Sequence, residues 1–105
     1  MDLAVLAYKL CKQLPKEEMY GLKSQMTRAA VSVPSNIAEG CSRNSEIEFK
    51  RFLEISLGSS FELETQMILA KRLELIDSNE IDEFIMQLNG EQKQINALIT
   101  TIKRS

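Results

Sequence analysis

The chain has 105 residues, of which 44% are hydrophobic and 27% are charged, a balance typical of one globular domain and not of a disordered or fibrous protein. Its formal net charge of -2 gives no overall attraction to phosphate or to an anionic membrane. Because the sequence has no histidine, the chain alone cannot build a Ser-His-Asp triad, a histidine-ligated zinc site or a Glu-x-x-His di-iron site. With only four glycines and two prolines, the sequence predicts long helices.

The first predicted helix runs from Leu3 to Leu14. Leucine and alanine residues recur there at steps of three and four, which is the apolar stripe of a helix. Pro15 ends this helix, and Lys16 to Glu18 form a short connection to the next one.

The second predicted helix begins at Leu22 and keeps the same apolar spacing to Ile37. Pro34 lies inside the stripe. Because proline removes one backbone hydrogen bond and clashes with the preceding turn, we expect the second helix to bend near Pro34. Gly40 to Asn44 supply the next break in the pattern.

The third predicted helix is long, from an N-cap at Ser45 to about Glu74. Ser45 followed by Glu48 is the capping-box pattern that begins a helix. Small residues at 58–60 would allow another backbone to approach closely at mid-length.

This third helix carries two apolar stripes, about a third of a turn apart. A bundle alone uses one of them, so we expect the other to form a subunit interface at Leu57, Phe61 and Ile68 in preference to burial under a loop. The first stripe consists of Phe49, Phe52, Leu53, Ser56, Ser60, Leu63, Met67 and Ala70. The second consists of Leu57, Phe61, Ile68 and Leu75.

The fourth predicted helix begins at a cap provided by Asp77 or Ser78. Polar residues at 89–92 interrupt its apolar repeat, and either a kink or a solvent-exposed stretch would accommodate them. The seven-residue repeat consists of Ile81, Leu88, Ile95 and Ile102.

Four amphipathic helices with short connections predict an all-α fold, an antiparallel up-and-down four-helix bundle that forms a single domain over residues 1–105. Cys11 and Cys41 lie too far apart for a redox or zinc motif, so we expect small buried or half-buried thiols in a reducing compartment. The longest charge-free stretch, Ala29 to Ala38, is too short to cross a membrane. We therefore expect a cytoplasmic protein with no membrane contact.

The densest polar pattern lies between Tyr20 and Ser45. Because buried polar groups must be paired, we expect Asn36 and Glu39 to join a hydrogen-bonded network that fixes the register between helices. A binding surface around the proline bend and, last, catalysis are the alternatives. The polar residues at helical spacing are Gln25, Arg28, Ser32, Asn36, Glu39 and Arg43.

A second polar group follows in the third helix. Glu62 and Glu64 are two residues apart and point away from each other, so they cannot hold one metal ion together. We expect an ion pair from Glu62 or Glu64 to Arg28 or Arg43 instead. The predicted polar network thus consists of Gln25, Arg28, Asn36, Glu39, Arg43, Glu62 and Glu64.

Two long segments resemble a known family. They read YGLKSQMTRAAVSVPSNIAEG at 20–40 and SRNSEIEFKRFLEISLGSSFELETQMILAKRL at 42–73, with NIAEG and ELETQ as the most specific motifs. These segments resemble the bacterial four-helix bundle proteins encoded by intervening sequences within 23S ribosomal RNA genes, which are often labelled as ribosomal proteins. Their relatives include the accessory variability determinant of diversity-generating retroelements. The resemblance implies a four-helix bundle that assembles into a homopentamer and has no enzymatic activity.

From the second stripe and the resemblance together, we expect a non-enzymatic homo-oligomeric interaction module, a pentamer, with no catalytic residue, cofactor, metal or small-molecule substrate. The resemblance also implies an alternative, an RNA-associated or reverse-transcriptase-associated scaffold, although a net charge of -2 departs from the strongly basic surface of the retroelement relatives. An enzyme that uses Glu39 or Glu62 is a distant third hypothesis. The candidate nucleic-acid contacts are Lys23, Arg28, Arg43, Lys50 and Arg51.

Overall fold

The computed structural model describes residues 1–104 of the chain, with side chains to residue 102. Over this range the chain forms four α-helices, a short 3-10 helix at Lys16–Glu18 and no strand. The all-α, four-helix prediction is confirmed. The helices are α1 (Asp2–Cys11), α2 (Leu22–Cys41), α3 (Glu46–Arg72) and α4 (Ser78–Arg104).

The helices pack in a closed cycle, in which α2 contacts α1 and α3, and α4 contacts α3 and α1. Near one end of the α2 and α3 pair, Gly40 lies against Phe49, and Ser32 meets Ser59 further along. These contacts run in opposite directions along the two helices, as they do in antiparallel neighbours.

Helix α2 continues through Pro34 and includes Gly40. It ends at Cys41, and α3 begins at Glu46, so the predicted break within Gly40 to Asn44 is confirmed, with Gly40 itself still helical. A Cβ atom at Gly40 would lie 2.9 Å from Cδ1 of Phe49 and 3.0 Å from Cβ of Phe52. The glycine therefore allows α2 and α3 to pack closely at this point. The expected bend near Pro34 stays a prediction.

The predicted helix caps are present at the starts of α3 and α4. The hydroxyl oxygen of Ser45 accepts a hydrogen bond from the backbone N–H of Glu48 at 3.3 Å. The carboxylate of Asp77 accepts one from the backbone N–H of Glu80 at 3.0 Å. Each side chain satisfies a donor that has no partner within its own helix.

Helix α4 is unbroken across residues 89–92, where the sequence predicted a kink or a solvent-exposed stretch. Gln92 is buried there and donates one hydrogen bond to Glu64 of α3, so the predicted solvent-exposed stretch is wrong for this residue. Similarly, a Cβ atom added at Gly58 of α3 would have no atom of another helix within 4 Å, so Gly58 is not a close-approach site within one chain.

The buried residues form two clusters at different levels of the bundle. The larger cluster takes residues from all four helices, including Ala7, Met26, Leu63 and Phe84. The smaller cluster takes residues from α2, α3 and α4 only, because α1 has 10 residues whereas α3 and α4 have 27 each. The bundle is therefore four helices thick at one end and three at the other. The smaller cluster consists of Val33, Leu53, Ile95 and Ile99.

The two cysteines differ in exposure. Cys11 is buried in the larger cluster, and this burial raises the pKa of its thiol, while the positive charge of Lys23 opposes the shift. Cys41 is exposed, contrary to the expectation of a buried or half-buried thiol. Within residues 1–104, no helix has both the length and the apolar character needed to cross a lipid bilayer.

Replacing Glu74 by Gly is expected to raise the free energy of unfolding by about 0.5 to 1 kcal/mol. Glu74 follows α3 with a φ of 57°, and the next N–H, that of Leu75, bonds back to the carbonyl of Ala70. This left-handed position at a helix end favours glycine over any residue with a Cβ atom. Urea denaturation followed by circular dichroism measures the change. Glu74→Ala is the control, since it keeps a Cβ atom; an equal gain in both variants would assign the effect to the lost charge.

Candidate interaction surface

The outer side of α3 carries apolar side chains that the bundle does not cover. Phe61 is 52% exposed and Ile68 is 37% exposed, both on the stripe that the sequence assigned to a subunit interface. Leu57, the third residue of that prediction, is half-buried and packs on the smaller cluster. We define the α3 apolar face as Ile55, Phe61, Ile68, Leu69 and Leu73, all of which are exposed.

A groove runs beside this face, between α3 and α4. It has a volume of about 430 Å³ and an apolar wall formed by Leu57 and Phe61. The opposite wall is polar, because α4 contributes three carboxamides and one ammonium group. The α3–α4 groove is lined by Leu57, Phe61, Asn89, Gln92, Lys93 and Asn96.

A hydrogen-bonded amide network forms the base of the α4 wall. One carboxylate oxygen of Glu64 accepts from Asn89 Nδ2 at 3.2 Å and from Gln92 Nε2 at 2.9 Å. Asn89 Nδ2 also donates to Gln92 Oε1 at 2.8 Å. Because each of these groups has a fixed partner, the network holds α3 and α4 in one register.

The sequence predicted a different partner for this carboxylate. Among the described residues, neither Glu62 nor Glu64 forms an ion pair with Arg28 or Arg43, so that expectation is wrong. The polar interruption of the apolar repeat at 89–92 was the available signal for the true partners. It was missed because a sequence does not reveal which polar residue of another helix lies opposite.

A second network joins α2 to α3 through serines. The hydroxyls of Ser32 and Ser59 lie 2.7 Å apart, and Asn36 Nδ2 donates to the Ser32 hydroxyl at 2.9 Å. The buried hydroxyl of Ser56 donates to the carbonyl of Val33 at 2.8 Å. Asn36 thus belongs to the network that joins α2 to α3, through its bond to Ser32. Ser56 and Ser59 of α3 were not predicted as members of this network.

Glu39, the other central residue of the predicted network, pairs with Arg43 one turn later at 2.5 Å. The guanidinium carbon of Arg43 also lies 5.2 Å from the ring centroid of Phe52, within the range of a cation–π contact. The Glu39 carboxylate is therefore engaged in an ion pair on the surface. Gln25 and Arg28 are exposed, and their side chains make no hydrogen bond within the described part of the chain.

Glu62, the other carboxylate of the enzyme hypothesis, is exposed and accepts only a long contact of 3.5 Å from Gln66 Nε2. The amide oxygen of Gln66 is buried and has no hydrogen-bond partner. Among the residues that the structure describes, no three His, Cys, Asp or Glu residues are grouped so that they could hold a metal ion.

The five candidate nucleic-acid contacts fall into two groups. Lys23 and Arg28 lie in the first half of α2, whereas Arg43, Lys50 and Arg51 lie around the connection between α2 and α3. Lys23 and Arg43 are separated by about 30 Å along the helix axis, given a rise of about 1.5 Å per residue. The five residues therefore do not form one continuous basic patch.

These features define a small all-α bundle protein with an exposed apolar helix face and an adjoining amide-lined groove. The chain belongs to the 23S rRNA-intervening sequence protein family, since the family model matches residues 1–97. The match confirms the resemblance seen in the sequence motifs. No curated protein matches the chain.

Proposed function

We propose that the protein is a non-enzymatic interaction module that assembles with copies of itself, and that Leu57, Phe61 and Ile68 lie in the contact between copies. The exposed α3 apolar face carries this proposal. Within it, Phe61 and Ile68 lie two helical turns apart on one side of α3, and exposed apolar side chains that are grouped in this way mark candidate interaction sites. The family resemblance supplies the number of copies, five.

The overall shape of the chain supports the proposal that other copies cover part of its surface. The chain exposes 6724 Å², whereas a compact monomer of 11.9 kDa exposes about 5,950 Å². The excess, roughly 770 Å², accompanies the elongated shape of the bundle, whose extents are 46 × 23 × 18 Å. The radius of gyration, 14.6 Å, likewise exceeds the value of about 12.9 Å for a compact domain of this length. An assembly would bury much of this surplus area.

Replacing Phe61 by Glu is expected to shift the protein from an oligomer to a monomer at micromolar concentration, because the change places a charge in an apolar contact. Sedimentation velocity measures the state directly. Val5→Glu is the matched control, because Val5 is 49% exposed but lies on α1, away from the α3 apolar face. A wild-type protein that sediments as a stable monomer would overturn the proposal, as would equal dissociation of both variants.

An RNA-associated or reverse-transcriptase-associated scaffold is the alternative, and it has less support. The candidate basic residues lie in two separate groups, and Arg43 is already paired with Glu39. Tight, salt-sensitive binding of an RNA oligonucleotide at low ionic strength would favour this alternative, since counterion release favours binding most under that condition.

A further inference from the structure

Tyr20 is the most exposed large apolar or aromatic side chain among those described, at 92%. It lies in the connection between α1 and α2, directly after Met19, which is also exposed. Tyrosine combines a large apolar ring with a polar tip and is enriched among the residues that carry the binding energy of interfaces. Folding of the single chain makes almost no use of this ring.

The α3–α4 groove has the chemistry that would receive such a side chain. Leu57 and Phe61 offer an apolar wall, and the volume of about 430 Å³ is sufficient for one aromatic ring with its neighbouring atoms. Asn96 lies at the polar wall, and its side-chain amide makes no hydrogen bond within the described part of the chain. A phenol hydroxyl could therefore bond to an amide that has no other partner.

The charges beside the two features are opposite. Glu17 lies three residues before Tyr20, and Lys93 lies on the groove. Both side chains are exposed, and neither forms an ion pair among the described residues. Docking of the Tyr20 connection in the groove would bring Glu17 towards Lys93, which favours the correct orientation of the two surfaces.

We infer that Tyr20 of one copy inserts into the α3–α4 groove of a second copy, an inference that rests on the proposed self-assembly. Tyr20 belongs to the α1–α2 connection, whereas the groove is formed by α3 and α4, so the two parts of the contact lie on different surfaces of the chain. Such a contact is head-to-tail. A pair of copies joined in this way still has one free groove, on the copy that donated Tyr20, and one free Tyr20, on the copy that received it, so further copies add until the assembly closes on itself.

The test uses two full-length variants and their mixture. Tyr20→Ala removes the inserted ring and keeps the groove, whereas Phe61→Glu keeps Tyr20 and blocks the groove. Each variant alone is expected to bind its own copies at least about tenfold more weakly than the wild type, because each lacks one half of every contact. Mixed in equal amounts, the variants are expected to form a one-to-one heterodimer and nothing larger, because only one intact contact remains possible. Sedimentation velocity and native mass spectrometry identify that species.

Circular dichroism first establishes that both variants are folded. If Phe61→Glu is unfolded, Lys93→Glu replaces it as the groove variant, and Glu17→Lys then restores the opposite charges. Tyr20→Phe is the conservative control, and it is expected to keep most of the assembly because the ring remains.

The outcomes separate this inference from the proposed function. If the wild type assembles and Tyr20→Ala assembles equally well, the Tyr20 contact is wrong and the proposed self-assembly stands. If the two variants dissociate but their mixture forms no heterodimer, the head-to-tail arrangement is wrong. A monomeric wild type overturns both proposals together.

Discussion

Replacing Phe84 by Ala is expected to lower the free energy of unfolding by about 3 to 5 kcal/mol. Phe84 is fully buried in the larger cluster, where residues from all four helices meet. Removing its ring loses the transfer free energy of the side chain and leaves a cavity that the neighbouring helices fill only in part. Because a domain of this size has about 5 to 15 kcal/mol of stability in total, the variant would be marginally folded.

Urea denaturation followed by circular dichroism measures this loss, at a chain concentration low enough that the wild type is monomeric, because assembly adds apparent stability and Phe61 lies in the proposed contact. Phe61→Ala is the matched control. It removes the same ring from an exposed position and is expected to change the unfolding free energy of the monomer by less than about 1 kcal/mol. Equal losses in the two variants would contradict the division between a buried core ring and an exposed surface ring.

Replacing Gly40 by Ala is expected to lower the free energy of unfolding by about 1 to 3 kcal/mol, the usual cost of overfilling a packed site. The added Cβ atom would meet Phe49 and Phe52 at distances shorter than van der Waals contact. In an open helix the same change would be favourable by about 1 kcal/mol, because alanine has the higher helix propensity. A loss of stability would therefore mean that the close contact between α2 and α3 outweighs propensity.

Gly58→Ala is the control for this prediction. Gly58 lies inside α3 with nothing within 4 Å of the new Cβ position, so only the propensity term applies. We expect the unfolding free energy to rise by about 0.5 to 1 kcal/mol. If Gly40→Ala lowers the free energy of unfolding and Gly58→Ala raises it, the packing role of Gly40 is supported. A rise in both variants would contradict that role. The same urea denaturation measures both variants.

The sequence was sufficient to predict features that depend on neighbouring residues. Helix starts at Ser45 and Asp77 follow from side chains that cap nearby N–H groups, which lie within three residues along the chain. The positions of Ile81 and Leu88 in the core follow from a repeat that matches the helical period. Such local features can be recognised in a sequence without knowing how the helices are arranged.

Features that depend on which helices face each other were not predicted. The packing role of Gly40 was not predicted, because only the proximity of Phe49 in the folded chain reveals it. Glu64 has several arginines as possible partners in the sequence, yet the structure places it opposite Asn89 and Gln92. The choice between these partners depends on the relative rotation of two helices, which local spacing does not determine.

The division of the interior into two clusters has a consequence for how the bundle opens. The amide network at Gln92 lies along α4 between Leu88 of the larger cluster and Ile95 of the smaller one. Fluctuations that begin at the three-helix end break few apolar contacts before they reach this polar layer, where continued opening must also separate hydrogen bonds to Glu64. The two ends of the molecule can therefore unfold locally with different free energies, the three-helix end with the lower one.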